Sequence, residues 1–142
     1  AVNRLFYEST APQHYATLFF GHYDDRARTL RYANCGHPPP LLQRENGALE
    51  RLAATATVLG IFPDWASEER VVELRPGDTL VMYSDGVTEA GEESGREFGE
   101  AGLLGVLQDS RPRNAETLVS RIVAALAGDQ QDDVTVVAIC AR

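Results

Sequence analysis

The chain has 142 residues, of which 44% are hydrophobic, and its formal net charge at pH 7 is −8. This length and composition indicate one globular domain over residues 1–142, because about two-thirds of the unfolded surface is buried at this size without disulfides or structural metals. No apolar run approaches the ~18 residues of a membrane span, and the N-terminus lacks a signal-peptide pattern. We therefore expect a cytoplasmic domain that does not insert into a membrane.

All 13 basic residues are arginine, which excludes enzyme classes that need a lysine, such as P-loop and Schiff-base enzymes. The arginines are scattered singly in an acidic chain and form no basic stripe, so nucleic acid is a poor candidate partner. Cys35 and Cys140 fit neither a metal-binding nor a redox spacing. A reducing compartment is the simplest interpretation of two unpaired cysteines.

The first half of the chain predicts strands that form hairpins. Residues 3–9 fit the end of a helix. Tyr15–Tyr23 is rich in aromatic and β-branched residues, and Thr29–Ala33 is its predicted antiparallel partner. Leu41–Arg44 and Ala48–Leu52 flank Asn46-Gly47, a strong hairpin signal because both turn residues tolerate positive φ.

The second half predicts one further strand pair, two helices and a last strand. Arg70–Leu74 and Thr79–Tyr83 are interpreted as a third strand-turn-strand unit around Pro76-Gly77. Helices are predicted over 98–108 and 114–127, the latter with Asn114 as its N-cap and Gly128 as its stop. The apolar run Val134–Cys140 is typical of a strand in the middle of a sheet. The order of these elements indicates an α+β fold, with helices on one face of a largely antiparallel sheet.

Nearly all of the excess negative charge lies in residues 51–100. Residues 85–100 contain a single basic residue, Arg96, and six acidic residues: Asp85, Glu89, Glu92, Glu93, Glu97 and Glu100. Most charge runs are solvated loops, and composition alone favours that interpretation. The alternative is a cation site at the start of the stretch.

Acidic residues also stand at two strand ends. Asp85 follows the predicted strand Thr79–Tyr83, and Gln131-Asp132-Asp133 precedes Val134–Cys140. Carboxylates on rigid elements suit a hard divalent cation. Asp-Gly is equally ordinary in turns, and Asp-Asp is an ordinary polar flank of a strand, so spacing alone favours the structural interpretation.

Four motifs in order along the chain resemble the SpoIIE/RsbU-type branch of the metal-dependent PPM (protein phosphatase 2C) family. They are YANCGHPPPLL (32–42), YSDGVTEA (83–90), EFGEAGLL (97–104) and QDDVTVVAI (131–139). The resemblance implies an αββα sandwich with helices on the outer faces of largely antiparallel sheets. It also implies hydrolysis of phosphoserine or phosphothreonine on a bacterial regulator, typically an anti-anti-sigma protein of the STAS type.

Proteins of this family hold two Mn²⁺ or Mg²⁺ ions about 4 Å apart, and a metal-activated water attacks phosphorus. By resemblance, Asp85 is the metal-binding aspartate of the SDG motif and Asp132 is the late metal-binding aspartate. Both are therefore the predicted catalytic residues. Asp133 is the alternative ligand to Asp132, and Gly86 is assigned to backbone geometry rather than to ligation.

Four other side chains invite a catalytic interpretation. His37 stands beside three prolines, and a neutral histidine that fixes such a turn by hydrogen bonds is the commoner outcome. His14 and His22 are interpreted as surface or sheet residues. Ser84 lacks both a G-x-S-x-G elbow and an evident base, so a nucleophilic serine is disfavoured.

The sequence departs from the family in one respect. It contains no Gly-Asp-x-Ser-Gly segment, whose aspartate bridges both metals in the family, and it therefore resembles the C-terminal two-thirds of a truncated phosphatase domain. We expect this chain alone to bind metal weakly and to be nearly inactive, because two carboxylates make a weak Mg²⁺ or Mn²⁺ site. Open sheet edges also predict self-association, as a homodimer.

Two other functions stay open at this point. A phosphatase-like module that binds a signalling regulator without hydrolysis is the main alternative. A phosphatase of another metal class is disfavoured, because three scattered histidines provide no histidine-rich ligand set.

Overall fold

The computed structural model describes residues 2–93, 95–109, 114–126 and 132–142. The elements in these ranges are α1 (Val2–Ser9), β1 (Leu18–Asp24), β2 (Thr29–Cys35), β3 (Leu41–Gln43), β4 (Leu49–Arg51), β5 (Arg70–Glu73), β6 (Thr79–Tyr83), α2 (Asp85–Thr88), α3 (Gly99–Asp109), α4 (Ala115–Ala125) and β7 (Val136–Cys140). One sheet has the order β1-β2-β5 and the other β4-β3-β6-β7, and all pairings within them are antiparallel. The predicted α+β class is confirmed.

The chain divides into two compact units. The three-stranded unit comprises the chain up to Pro39 together with Leu52–Leu74, and the four-stranded unit comprises Pro40–Arg51 and Arg75–Arg142. The single domain expected over residues 1–142 stays a prediction. All three predicted metal ligands belong to the four-stranded unit.

Both hairpins predicted in the first half of the chain are confirmed. β1 pairs with β2, although β1 begins at Leu18 rather than at Tyr15. The carboxylate of Asp24 closes the connection by accepting hydrogen bonds from the backbone N–H groups of Arg26 and Ala27, at 2.9 and 3.1 Å. β3 pairs with β4 around Gly47, whose φ of +88° is the left-handed conformation that this turn requires.

The third predicted strand-turn-strand unit is wrong in its pairing. Both strands exist, but β5 pairs with β2 whereas β6 pairs with β3 and β7, so the turn at Pro76-Gly77 connects two different sheets. Asp78, which is 2% exposed, fixes this turn by accepting hydrogen bonds from the backbone of Arg75 and from the Arg44 guanidinium, at 2.9 and 2.7 Å. Local composition can predict a strand but does not determine its partner, which depends on contacts distant in sequence.

The last strand also differs from its prediction. β7 lies at one end of the strand order rather than in the middle, as far as the described residues show. Its side chains alternate: Val136 and Ala138 pack against the core, while Val137 and Ile139 are 44% and 46% exposed. A continuous apolar run therefore does not mean burial on both faces here.

The predicted helices are present with small shifts. Asn114 caps α4, because its side-chain oxygen accepts hydrogen bonds from the backbone N–H groups of Glu116 and Thr117. The predicted end at Ala127 and the stop at Gly128 lie outside the described residues. α2, a single turn after β6, was not predicted. No helix in the described part of the chain is both long and apolar enough to cross a bilayer.

The core of the four-stranded unit forms between its sheet and α3 and α4. Leu41, Val81 and Tyr83 face the helices from the sheet. The helices bury five side chains against them: Leu103, Leu107, Leu118, Ile122 and Leu126. This packing fixes β6 and β7, whose ends carry the candidate site residues.

The core predicts a sharp difference between two neighbouring positions of α4. Ile122 is fully buried, whereas Val123 is 42% exposed. We expect Ile122→Ala to lower the free energy of unfolding by about 2–5 kcal/mol, since it leaves a cavity. Val123→Ala should change it by about 0.5 kcal/mol or less. Urea denaturation measures both, and equal losses would contradict this description of the core.

Candidate metal centre

The antiparallel pairing of β6 with β7 brings two distant acidic segments to one end of the four-stranded sheet. Tyr83 and Val136 form the last pair of the ladder. Beyond them, the backbone N–H of Ser84 donates to the carbonyl of Thr135 at 3.0 Å. The chain therefore leaves β6 toward Asp85 at the same end at which it enters β7.

A side chain extends this pairing beyond the strands. The Ser84 hydroxyl donates to the backbone carbonyl of Asp133 at 3.1 Å and accepts from the backbone N–H of Thr135 at 3.0 Å. Sequence reasoning considered Ser84 only as a nucleophile and missed this contact. The two partners lie 49 and 51 residues further along the chain, so no local sequence signal predicts them.

Gly86 lies directly against the second acidic segment. A Cβ atom at this position would lie 2.6 Å from the carbonyl oxygen of Asp133 and 3.2 Å from its carbonyl carbon. Gly86 is part of α2 and does not have a positive φ, so its requirement is close approach and not an unusual backbone conformation. The predicted role of Gly86 in backbone geometry did not include this contact.

The predicted ligand carboxylates are exposed and bond locally through one oxygen. Oδ1 of Asp85 accepts from the N–H of Gly86 at 3.0 Å, and Oδ1 of Asp132 accepts from the N–H of Asp133 at 2.7 Å. The second oxygen of each carboxylate has no hydrogen-bond partner among the residues that the structure describes. Gln131, which precedes Asp132 in the chain, lies outside the described residues.

The neighbouring negative charges change the pKa of a third acidic residue, Glu89. The pKa of Glu89 is raised, chiefly by repulsion from Asp85, and then by loss of solvation and by repulsion from Glu92, Asp132 and Glu97. Glu89 stands four residues after Asp85, one helical turn away. The spacing of four residues could have indicated that Glu89 lies beside Asp85. The sequence prediction placed Glu89 only in the acidic stretch.

The far end of the acidic stretch behaves differently. Glu100 pairs with Arg51, whose Nε donates to the Glu100 carboxylate at 2.8 Å. The two ends of the stretch therefore differ in how their negative charge is compensated. Ion pairing compensates its end, while mutual repulsion of carboxylates marks its start.

The donor set at this end of the sheet fits a hard divalent cation. Such ions bind carboxylate oxygens, and the repulsion that raises the pKa of Glu89 is what a bound cation would relieve. Across the described ranges, no group of three or more His, Cys, Asp or Glu side chains is arranged to hold a metal. Asp85 and Asp132 therefore stay predicted ligands of such a cation.

The other sequence candidates do not join this site. His37 is half-buried in the three-stranded unit, and its Nδ1 lies 2.9 Å from the carbonyl oxygen of Pro38, in keeping with a structural histidine. His14 and His22 are exposed in the same unit. Cys35 is buried, and burial raises the pKa of its thiol, which disfavours the reactive thiolate.

A cavity among the described residues lies elsewhere in the four-stranded unit. It has a volume of about 540 Å³ and is lined by residues at the start of β6 and beyond the end of β7, including Gly77, Thr79 and Cys140. Asp85 and Asp132 do not line it. The candidate metal centre is thus an open surface site at the opposite end of β6.

The fold belongs to the PP2C class of protein phosphatases. The SiaA-PP2C domain of Pseudomonas aeruginosa superimposes with a TM-score of 0.78 over 96% of this chain and 56% of that domain's chain. The sequence identity is 21%, so this similarity shows the fold alone.

The sequence assigns the chain to a family within this class. The profile described as "Stage II sporulation protein E (SpoIIE)" matches residues 1–142, so the chain belongs to the SpoIIE family. Protein IcfG of Synechocystis sp. is 31% identical over 88% of this chain and 20% of its own length. Phosphoserine phosphatase RsbU of Bacillus subtilis is 28% identical over 97% of this chain. The chain spans 42% of RsbU and about a fifth of IcfG.

The contact of Gly86 predicts an unequal effect of two glycine substitutions. Gly86→Ala must displace the Asp133 carbonyl, and we expect it to lower the free energy of unfolding by about 1–3 kcal/mol. Gly105→Ala, where a Cβ meets nothing within 4 Å, should instead stabilise α3 by about 0.5–1 kcal/mol. Thermal and urea unfolding measure both. A harmless Gly86→Ala would show that the two segments are not in contact.

The repulsion at Glu89 predicts a shift that can be measured directly. Asp85→Asn removes its largest cause, so the pKa of Glu89 should fall toward the ordinary glutamate range. The substitution should favour folding at a pH above the pKa of Glu89, and this gain should disappear as the pH falls through that pKa. NMR titration of the side-chain carboxyl measures the shift, and Asp109→Asn serves as the control because Asp109 does not contribute to it. An unchanged pKa in Asp85→Asn would contradict the proximity of the two carboxylates.

Proposed function

We propose that this chain is the metal-binding part of a serine/threonine phosphatase that hydrolyses phosphoserine or phosphothreonine on a bacterial regulatory protein. The substrate class proposed is an anti-anti-sigma protein of the STAS type, within sigma-factor regulation. Membership of the SpoIIE family and similarity to a phosphoserine phosphatase support the reaction type.

One observation carries this proposal. The acidic segment after β6 and the acidic segment before β7 lie at the same end of one sheet, joined by Ser84 and Gly86. These segments belong to two of the motifs that resemble PPM phosphatases. Carboxylates placed beside the ends of two paired strands suit a divalent cation, because such an ion requires ligands in defined positions.

The residues have distinct proposed roles. Asp85 and Asp132 bind Mn²⁺ or Mg²⁺ and are the catalytic residues. The side chain of Asp133 is the alternative ligand. Its backbone carbonyl accepts a hydrogen bond from Ser84. When bound, the metal centre lowers the pKa of a water molecule and neutralises charge on the phosphoryl group. Glu89 adds negative potential beside Asp85, which favours cation binding.

We further propose that the 142-residue chain alone binds the cation weakly and turns over substrate near background. Asp85 and Asp132 leave most of the coordination shell to water, and a divalent ion with two carboxylates is held weakly. This same observation favours a second candidate function, a phosphatase-like module that binds a signalling regulator without hydrolysis. The two functions differ in whether the protein that contains this chain releases phosphate.

The partners and location follow from the proposed function. We propose a phosphorylated protein substrate, a cytoplasmic site of action, and no role for nucleic acid or membrane insertion. Homodimer formation stays a prediction, which the exposed Val137 and Ile139 on β7 support because exposed apolar side chains favour association.

The experiment measures phosphate release from a phosphoserine-bearing STAS protein in the presence of Mn²⁺. We expect release by the protein that contains this chain, a loss of at least about 100-fold in Asp85→Asn and Asp132→Asn, and little change in Asp109→Asn. The isolated chain should remain near background. Binding of the phosphoprotein without Mn²⁺-dependent release would favour the non-catalytic module. Robust turnover by Asp85→Asn would refute the assigned role of Asp85.

A further inference from the structure

The Ser84 side chain connects the end of β6 to the segment that leads into β7 by hydrogen bonds. Its hydroxyl donates to the carbonyl of Asp133 and accepts from the N–H of Thr135. Its backbone N–H donates to the carbonyl of Thr135 at 3.0 Å. Three hydrogen bonds thus connect one residue to both sides of Val134.

These contacts leave the Ser84 hydroxyl unsuited to nucleophilic attack. Its single proton is directed to the Asp133 carbonyl, and one lone pair accepts the Thr135 N–H. Neither partner is a base. The geometry is that of a structural bridge between two segments of backbone.

The bridge lies between the predicted ligands. Ser84 immediately precedes Asp85, and the carbonyl it holds belongs to Asp133, the neighbour of Asp132. Gly86 lies within van der Waals distance of the same peptide from the other side of Asp85. The distance between the two acidic segments therefore depends on the residues that flank Asp85.

We propose that Ser84 is a positioning residue, whose hydroxyl sets the placement of Asp132 relative to Asp85 and thereby the affinity of the metal centre. This inference rests on the proposed function. Loss of the hydroxyl leaves the Asp133 carbonyl without this donor and the Thr135 N–H without this acceptor. The Asp132–Asp133 segment then depends on the Ser84–Thr135 backbone bond and on contact with Gly86. Metal ligands tolerate only about 0.5 Å of displacement, so a small shift lowers affinity.

The test compares Mn²⁺ affinity, measured by electron paramagnetic resonance of free Mn²⁺, across variants of the 142-residue chain. We expect Ser84→Ala to raise the dissociation constant by about 10-fold or more, as for other residues that orient metal ligands. Ser84→Thr keeps the hydroxyl and should restore most of the affinity. Thr88→Ala is the matched control, because the Thr88 hydroxyl bonds to the Asp85 carbonyl at 3.0 Å without reaching the Asp133 segment.

Hydrogen exchange in the absence of metal provides an independent measurement. Ser84→Ala should speed exchange of the Thr135 amide, while Ser84→Thr should not. If Ser84→Ala fails to fold, Ser84→Cys replaces it, since a thiol keeps the side chain's approximate size but is a weak hydrogen-bonding group.

The outcomes separate the two proposals. Equal Mn²⁺ affinity in Ser84→Ala and the wild type, with binding lost in Asp85→Asn, would overturn the role of Ser84 and leave the metal centre standing. Equal losses in Ser84→Ala and Thr88→Ala would also overturn it. A wild-type chain without any Mn²⁺ binding would overturn the metal centre itself and, with it, this inference.

Discussion

The antiparallel ladder between β6 and β7 is the constraint on which the candidate site depends. Its five pairs run from Thr79 with Cys140 to Tyr83 with Val136, and they fix which residues follow at the sheet end. A slip of one residue would turn every side chain of β7 to the opposite face, exposing Val136 and Ala138. The packing of the helical core against this sheet therefore also fixes which residues meet at the end of β6 and β7.

The local structure of the chain, its turns, helix caps and strands, could be predicted from the sequence. The Asn46-Gly47 turn, the Asn114 cap and the β1–β2 hairpin each follow from the preferences of a few neighbouring residues, and the structure contains all of them. The position of Asp85 just beyond the end of β6, with only Ser84 between them, was equally predictable, because the strand and the SDG motif are adjacent. Features decided within about ten residues of one another were the ones predicted correctly.

The errors and omissions share a different cause. The partners of β5 and β6, the terminal position of β7, and the contact of Gly86 with Asp133 all depend on residues more than thirty positions apart. No spacing rule connects such residues, and only their burial in a common fold selects the pairing. The role of Ser84 was missed for this reason, since its partners lie about fifty residues further along the chain.

The most direct test of the account is whether one cation contacts both acidic segments at once. Bound Mn²⁺ broadens the NMR signals of nearby amides, so a titration of the chain maps where the ion lies. The account predicts simultaneous broadening at residues 85–88 and 132–135, lost from both segments in Asp85→Asn. Broadening of one segment alone, or spread evenly over residues 92–100, would contradict a shared site at the end of β6 and β7.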